Sequence, residues 1–395
     1  MRVLLGAFGD PGHAFPILAL GRGLRARGHE VVVQTWGRWR VDAEREGLGF
    51  AAAPEYHVFP TRERPLKPYE AVARATVTTR ELVRELAPDV VVSDILTLAP
   101  ALAAELEGVP WATLIPHVDP RPGPGFPPYS LGARLPRTAV GRRAWSLADP
   151  VVSRGLELGR EELNETRRRL GLAPLNHVHG GISRQLALVG TFPQLEYPRP
   201  HDPATHVVGP LQWQPPTEPT PLPPGDDPLV LVAPSTSQDP SHRMLRAALD
   251  GLAGLPVRVL ATYNARLPDR PIPVPANASL VAWVNYAAAM PECTAVVCHA
   301  GHGTVARALS CGAVVVACPA AGDMNENAAR VAWAGVGVRL PRRLVTARGI
   351  RLATERALSD GSLAARAAEL AAWSASHDPA ARAAELVEDL VRHTN

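Results

Sequence analysis

The strongest constraint on this chain is an alternation that runs through it twice. Short apolar runs rich in β-branched residues trade places with amphipathic helical patterns, first from the N-terminus and again after residue 228. RVLLGAF (2–8) reads as a strand, Ala14 to Arg27 as a helix and EVVVQT (30–35) as a strand; DVVVSD (89–94), a helix around Ala99 to Glu107 and WATLIP (111–116) continue the series. Runs this apolar suit strands covered on both faces, and each helix carries the chain back to a parallel neighbour. The series then stops. Glu196 to Pro228 is Pro-rich, ending in PLQWQPPTEPTPLPPGDDP, and reads as stiff, extended and poorly packed. LVLVAPST, a helix from Gln238 to Leu252, VRVLAT and SLVAW then restart it. A chain of 395 residues exceeds what one core usually holds, so two α/β, doubly wound domains are expected. Their limits are drawn at 1–212 and 228–378, with 213–227 as linker and 379–395 as a last helix.

Chemistry concentrates between Trp283 and Asn327. There Cys298-His299-Ala300-Gly301-His302-Gly303-Thr304 follows the apolar Ala295 to Val297 and opens a helical pattern, Val305 to Ser310. A strand, a glycine turn and a helix start make an anion site, because glycine lets backbone approach and the first helical N–H groups lack partners. His299 and Thr304 add side-chain donors. After VVVACP, Asp323 and Asn327 put acceptors for hydroxyl groups beside that cradle, as a nucleotide-sugar site requires.

This segment resembles the nucleotide-diphosphate-sugar signature of the glycosyltransferase superfamily that decorates plant metabolites, drugs and bacterial antibiotics. That signature is a Trp, then His-x-Gly-x-(Gly/Asn)-(Thr/Ser), then Asp-Gln near an Asn. Trp283, His299, Gly301, Gly303, Thr304, Asp323 and Asn327 match it, and Gly12-His13-Ala14-Phe15-Pro16 matches the family's Gly-His-x-x-Pro. The resemblance implies the GT-B architecture, two Rossmann-like domains facing one cleft, with the last helix crossing back to the first domain. It implies His13 as the base for an acceptor hydroxyl and Asp94 as its hydrogen-bonded partner. Trp283 would stack on the nucleobase and Val284 read it through backbone groups. The Ser235-Thr236-Ser237 turn, His299 and the N–H groups from Gly301 to Thr304 would hold the diphosphate, and Asp323 with Met324 would face the sugar. Plainer roles stay open: a helix cap for Ser235 to Ser237 and for Asp94, a core position for His299 and Trp283, a structural loop for His13. His302, where relatives carry a small residue, either touches phosphate or acceptor or is exposed at the helix start.

Departures from the family narrow the donor. Arg307 stands where uridine-dependent relatives carry a Glu for the ribose hydroxyls, Tyr286 where they carry Gln, and Met324 where Gln binds sugar hydroxyls. Losing a ribose acceptor fits thymidine, and a thioether fits a sugar with fewer hydroxyls, unless Met324 points away. A TDP-deoxysugar donor follows. No Asp-x-Asp occurs, so the expected route uses no metal and no cofactor beyond the nucleotide sugar. With no carboxylate placed as a glycosyl nucleophile, attack by the acceptor should invert the anomeric centre. The acceptor pocket is expected within Tyr56 to Thr79 and His117 to Trp145, read as long irregular loops suited to a bulky, partly apolar natural-product aglycone.

Other classes fit less well. A net charge of +3 and no aromatic-interleaved basic cluster argue against nucleic acid. Gly9 to His13 interrupts any signal core and no run is long enough to span a membrane, so a cytoplasmic monomer or homodimer is expected. Cys293, Cys298, Cys311 and Cys318 form no Cys-x-x-Cys pair, and buried reduced thiols account for them more simply than disulfides or zinc. An epimerase or cell-wall sugar transferase, or a non-catalytic partner of a transferase, are the alternatives. Gly6-x-x-Gly9-x-x-Gly12 lacks the glycine spacing of a dehydrogenase.

Overall fold

The computed structural model describes residues 1–54, 68–200, 202–235, 239 and 241–394. The first half runs β1 (Arg2–Gly6), α1 (Pro11–Ala26), β2 (Glu30–Thr35), α2 (Arg40–Arg45), β3 (Gly49–Ala52), α3 (Pro68–Leu86), β4 (Val90–Asp94), α4 (Ala99–Leu106), β5 (Trp111–Ile115), α5 (Ala139–Trp145), α6 (Asp149–Arg169), β6 (Ala187–Val189) and β7 (Thr205–Val207). The second runs β8 (Leu229–Ala233), α7 (Arg243–Leu252), β9 (Arg258–Thr262), β10 (Ala278–Val281), α8 (Tyr286–Ala289), β11 (Cys293–Cys298), α9 (His302–Ser310), β12 (Val314–Ala317), α10 (Asp323–Ala334), β13 (Gly337–Arg339), α11 (Ala347–Ser359), α12 (Gly361–Ala375) and α13 (Pro379–Thr394).

Each half builds one parallel sheet. Strand order is β3-β2-β1-β4-β5-β6-β7 in the first and β10-β9-β8-β11-β12-β13 in the second. These are two Rossmann-like α/β domains, as the alternation predicts. In each sheet the winding reverses once, between β1 and β4 and between β8 and β11. The backbones diverge there, which opens a crevice beyond the strand ends.

β1, β4, β8 and β11 are almost wholly buried, so they read as continuous apolar runs. The first core joins Val3, Leu5, Ile17, Leu20, Val90 and Val92 to Ala383, Ala384, Val387 and Val391 of α13. The last helix therefore packs on α1 and completes the first domain. Outside that core, Glu388 of α13 accepts from Arg27 at 2.7 Å, and this bond holds the carboxyl down to about 2.

Several elements depart from the expectation. α1 begins at Pro11, not Ala14, because proline suits the first helical position. α7 begins at Arg243, not Gln238, because Asp239 accepts from the N–H groups of Arg243 and Met244. Residues 68–79, expected as irregular loop, lie in α3, where Thr76 and Thr79 are buried; Tyr56 to Lys67 lie outside the described residues. The Pro-rich stretch is not loosely packed throughout. Tyr197 and Trp213 are buried, and Thr205–Val207 adds a seventh strand. Their aromatic rings outweigh the prolines: Tyr197 packs on Phe126 and Trp333, and Trp213 on Phe15 with its Nε1 donating to Glu46 at 2.8 Å.

Candidate active site

Both crevices carry the residues that the motifs single out. At the end of β4, Asp94 is 1% exposed, and its Oδ1 accepts from His13 Nδ1 at 2.8 Å. Its Oδ2 accepts from the backbone N–H of Phe8 at 3.2 Å. α4 starts five residues later with Leu98 at its cap position, so Asp94 is not a helix cap. His13 lies in the first turn of α1, not in the loop before it. Burial opposes its protonation, but the Asp94 carboxylate outweighs burial and holds its pKa above the ordinary value. With Nδ1–H given to Asp94, Nε2 is the nitrogen left to take a proton. Gly9 is required nearby, since a Cβ there would sit 2.0 Å from the Trp36 ring.

His117, beyond β5, was not singled out from sequence. Its ring stands edge-on to His13 with centroids 6.2 Å apart, and its Nδ1 donates to the Val118 carbonyl at 2.8 Å. Burial lowers its pKa, and the His13 ring adds to this. The only available signal was a polar residue directly after the strand WATLIP.

The opposite crevice holds the anion cradle. After β8, the Ser235 N–H donates to His299 Nδ1 at 2.9 Å. His299 is 6% exposed, and burial lowers its pKa against the pull of Asp239, whose carboxylate lies 3.8 Å from Nε2. The ring is therefore a neutral donor through Nε2–H. Ser235 does not cap α7, which Asp239 does; Thr236 and Ser237 lie outside the described residues. α9 starts at His302 with Gly301 as its cap residue. A Cβ on Gly301 or Gly303 would meet nothing within 4 Å, so backbone N–H groups here stand open beside Thr304.

Two side chains hold this turn in ways the motif did not reveal. Ala300 has φ 60°, a left-handed conformation that costs an L-residue about 1–2 kcal/mol. Asn327, 2% exposed, donates through Nδ2 to the Ala300 carbonyl at 3.0 Å. It supports the turn and is not the hydroxyl acceptor expected at that position. His302, the first residue of α9, is half-buried. Its Nε2 donates to the Gly190 carbonyl beyond β6 at 3.2 Å, across the domain boundary. Burial pushes its pKa down to about 3, so the ring is neutral.

Asp323 opens α10 and is exposed, and from the other domain its charge adds to the raised pKa of His13 and opposes the burial that lowers that of His117. Gly322 before it has φ 55° and ψ −133°, which only glycine adopts readily. Met324 is half-buried beside it. Trp283 follows β10 with 47% of its surface exposed, so it is not a core residue, whereas Val284 is buried. Tyr286 packs on the second core with its hydroxyl near Asn264, and Arg307 is half-buried on α9.

The two domains also meet along a charged seam. Arg330 of α10 is 2% exposed, lies 3.5 Å over the Tyr197 ring, and reaches the Leu195 carbonyl at 3.0 Å and Glu196 at 3.4 Å. A cavity of 120 Å³ opens beside it, walled by Phe126, Pro128, Tyr129, Val152, Leu156 and Arg330. The Tyr129 hydroxyl is buried there without a hydrogen-bond partner. Among the described residues no three His, Cys, Asp or Glu side chains are grouped to hold a metal ion, no helix is long and apolar enough to cross a membrane, and all four cysteines are free thiols.

Comparison with known proteins agrees with this layout. Residues 246–392 match the family model described as the erythromycin biosynthesis protein CIII-like C-terminal domain. The 4'-demethylrebeccamycin synthase of Lentzea aerocolonigenes is 30% identical over 430 aligned positions, covering 99% of each chain. The O-mycaminosyltylonolide 6-deoxyallosyltransferase of Streptomyces fradiae is 28% identical over 98% of this chain and 97% of its own. The solved glycotransferase of kitacinnamycin superposes with a TM-score of 0.77 at 20% identity over 98% of both chains. Glycosyltransferase VinC, solved with DTDP, gives 0.72 at 19% over 100% of both. These two likenesses are of fold. By its identity to the rebeccamycin enzyme along nearly the whole length of both proteins, the chain belongs to the GT-B glycosyltransferases of antibiotic and natural-product biosynthesis.

Proposed function

We propose that this enzyme is an inverting, metal-independent transferase that moves a deoxysugar from a TDP-sugar to a hydroxyl of a bulky natural-product aglycone. The observation that carries this reading is the His13–Asp94 pair, 2.8 Å apart at one topological switch point and within electrostatic reach of Asp323 at the start of α10 in the other domain. As the acceptor oxygen attacks the anomeric carbon, His13 Nε2 takes its proton and Asp94 stabilises the imidazolium that forms. The bond from the anomeric carbon to the diphosphate breaks on the opposite side, which inverts the centre. Charge gathering on the diphosphate meets His299 Nε2–H, the first N–H groups of α9 and the Thr304 hydroxyl. Those donors are fixed before the reaction, so they need no reorganisation.

Trp283 offers an exposed face for the base, with Val284 beside it, and Asp323 with Met324 borders the sugar. Arg307 supplies donors where a uridine-type ribose would need an acceptor, which supports thymidine. Both relatives named above act, by their names, in natural-product assembly, and one carries a deoxysugar in its name. The cavity beside Tyr129 supplies apolar walls for part of an aglycone. In this reading the first domain (1–212) binds acceptor and the second (228–378) binds donor.

The test is His13→Ala in an assay with TDP-sugars and polyketide aglycones. Turnover should fall at least about a hundredfold while TDP affinity holds. Near-normal turnover would remove His13 as the base.

A further inference from the structure

Tyr129 lies in the irregular stretch between β5 and α5, and that stretch rests on the start of α10 in the other domain. Gly132, with φ 76°, comes so close that a Cβ on it would meet the Asn325 Cβ at 3.0 Å. Tyr129 itself packs against the second core. Asp323, which acts electrostatically on His13 and His117, acts on the Tyr129 phenol as well. One carboxylate thus ties this side chain to the cleft that holds the base.

The phenol is half-buried, and its oxygen is buried with no hydrogen-bond partner among the described residues. Its neighbour Tyr197 shows the usual arrangement, with an oxygen that accepts from the Leu135 N–H at 3.2 Å. An unbonded buried hydroxyl is a cost that a fold ordinarily avoids. Burial pushes the phenol's pKa up, and the charges of Asp323 and Glu326 add to this, so the group keeps its proton. A phenol donates more readily than it accepts, because its oxygen shares a lone pair with the ring.

Tyr129 walls the 120 Å³ cavity together with Phe126, Pro128, Val152 and Leu156. A cavity of about 150 Å³ holds one benzene ring, so this one suits a single ring with part of it in the opening. The other polar side chains in the wall are already engaged or wet. Arg330 Nε donates to Glu326 at 2.8 Å, Arg121 donates to Asp119 at 2.6 Å, and Asp149 is exposed. What the cavity offers a ligand is therefore an apolar slot with one hydrogen-bond donor.

We infer that Tyr129 selects the acceptor, its hydroxyl donating to a carbonyl oxygen on an aglycone ring seated in this cavity. The inference rests on the reading of the first domain as the acceptor side, and it narrows that acceptor to ring systems that carry a ketone, quinone or lactone carbonyl. A ring without the oxygen would leave the hydroxyl buried and unbonded, which is how a polar site rejects an analogue.

The test uses two bicyclic phenols of one skeleton: hydroxytetralone, which has a ring ketone, and the matching tetrahydronaphthol, which lacks it. Their affinities are measured in the presence of TDP for the wild type and for Tyr129→Phe. The wild type should favour the ketone, and Tyr129→Phe should cut that preference about tenfold, through weaker ketone binding. TDP affinity should hold, and the variant should melt no lower than the wild type, since it removes an unbonded hydroxyl. Val152→Phe, which fills the cavity, should weaken both phenols and spare TDP. An equal preference in wild type and Tyr129→Phe overturns the inference, as does binding of neither phenol. A lower melting temperature with the preference intact would assign the hydroxyl to the fold instead. None of these readouts needs turnover, so they stand or fall separately from the use of TDP-sugars.

Discussion

Asp94→Asn gives the sharpest test of how the acceptor is activated. The wild-type carboxylate is 1% exposed and accepts twice, from His13 Nδ1 at 2.8 Å and from the Phe8 N–H at 3.2 Å. An amide of the same shape can accept on one side only. If its oxygen stays with Phe8, its NH₂ faces His13 Nδ1, which must then become an acceptor. The ring proton moves to Nε2, the nitrogen that should receive the acceptor's proton. Loss of a buried charge-assisted hydrogen bond is worth about 1.5–3 kcal/mol, roughly 10- to 150-fold in rate. The tautomer change adds to that, so kcat/KM should fall by about 10² to 10⁴.

The pH profile carries the sign. The base must be deprotonated, so kcat/KM rises as pH climbs through the His13 pKa. In the wild type Asp94 holds that pKa above 6.5 against burial. In Asp94→Asn burial is unopposed by that charge, and the acid limb should move to lower pH. The assay is kcat/KM against pH for both proteins, with TDP affinity measured alongside. An unmoved limb with kcat/KM close to that of the wild type would refute the assignment of Asp94 and weaken that of His13.

Calorimetric titration should show tighter binding of TDP than of UDP; a preference for UDP would discard the reading of Arg307 and Met324. EDTA should leave transfer intact, and inhibition reversed by magnesium would replace the metal-free route. His302→Ala removes the link to Gly190 and should lower transfer more than TDP affinity, with hydrolysis of the sugar nucleotide rising relative to transfer. Equal loss of both would assign His302 to the nucleotide itself. Asn327→Ala should weaken TDP binding through the Ala300 turn, and unchanged affinity would show that the turn holds without it.

What could be read from sequence was what local chemistry determines. β1, β4, β8 and β11 are apolar throughout because both faces are covered, so they stand out without a neighbour in view. The glycine turn before α9 is legible for a similar reason, since strand, Gly301 and helix start are consecutive. Asp94 and His13 lie far apart in the chain, and only the resemblance paired them. His302 and Asn327 show where reading along the chain stops. The partner of one is a carbonyl in the other domain, and that of the other is a carbonyl 27 residues away. No periodicity records either. The same holds for Tyr197 and Trp213, whose burial depends on Arg330 and Phe15, and for α7, whose start is set by Asp239.

The return of α13 to the first domain has a consequence for how the chain is made. Ala383, Val387 and Val391 close a core begun by Val3 and Leu5, so a ribosome has finished the whole second domain before the first can be completed. Until then α1 exposes the apolar stripe that α13 will cover, an invitation to aggregate or to meet a chaperone. The second core, which spans residues 229 to 370 and takes in Val118, Phe192 and Leu195 from the first half, is fully synthesised before α13 and can consolidate first. Folding order in this enzyme therefore runs against chain order, and a stalled or clipped C-terminus should damage the half of the molecule that was synthesised earliest.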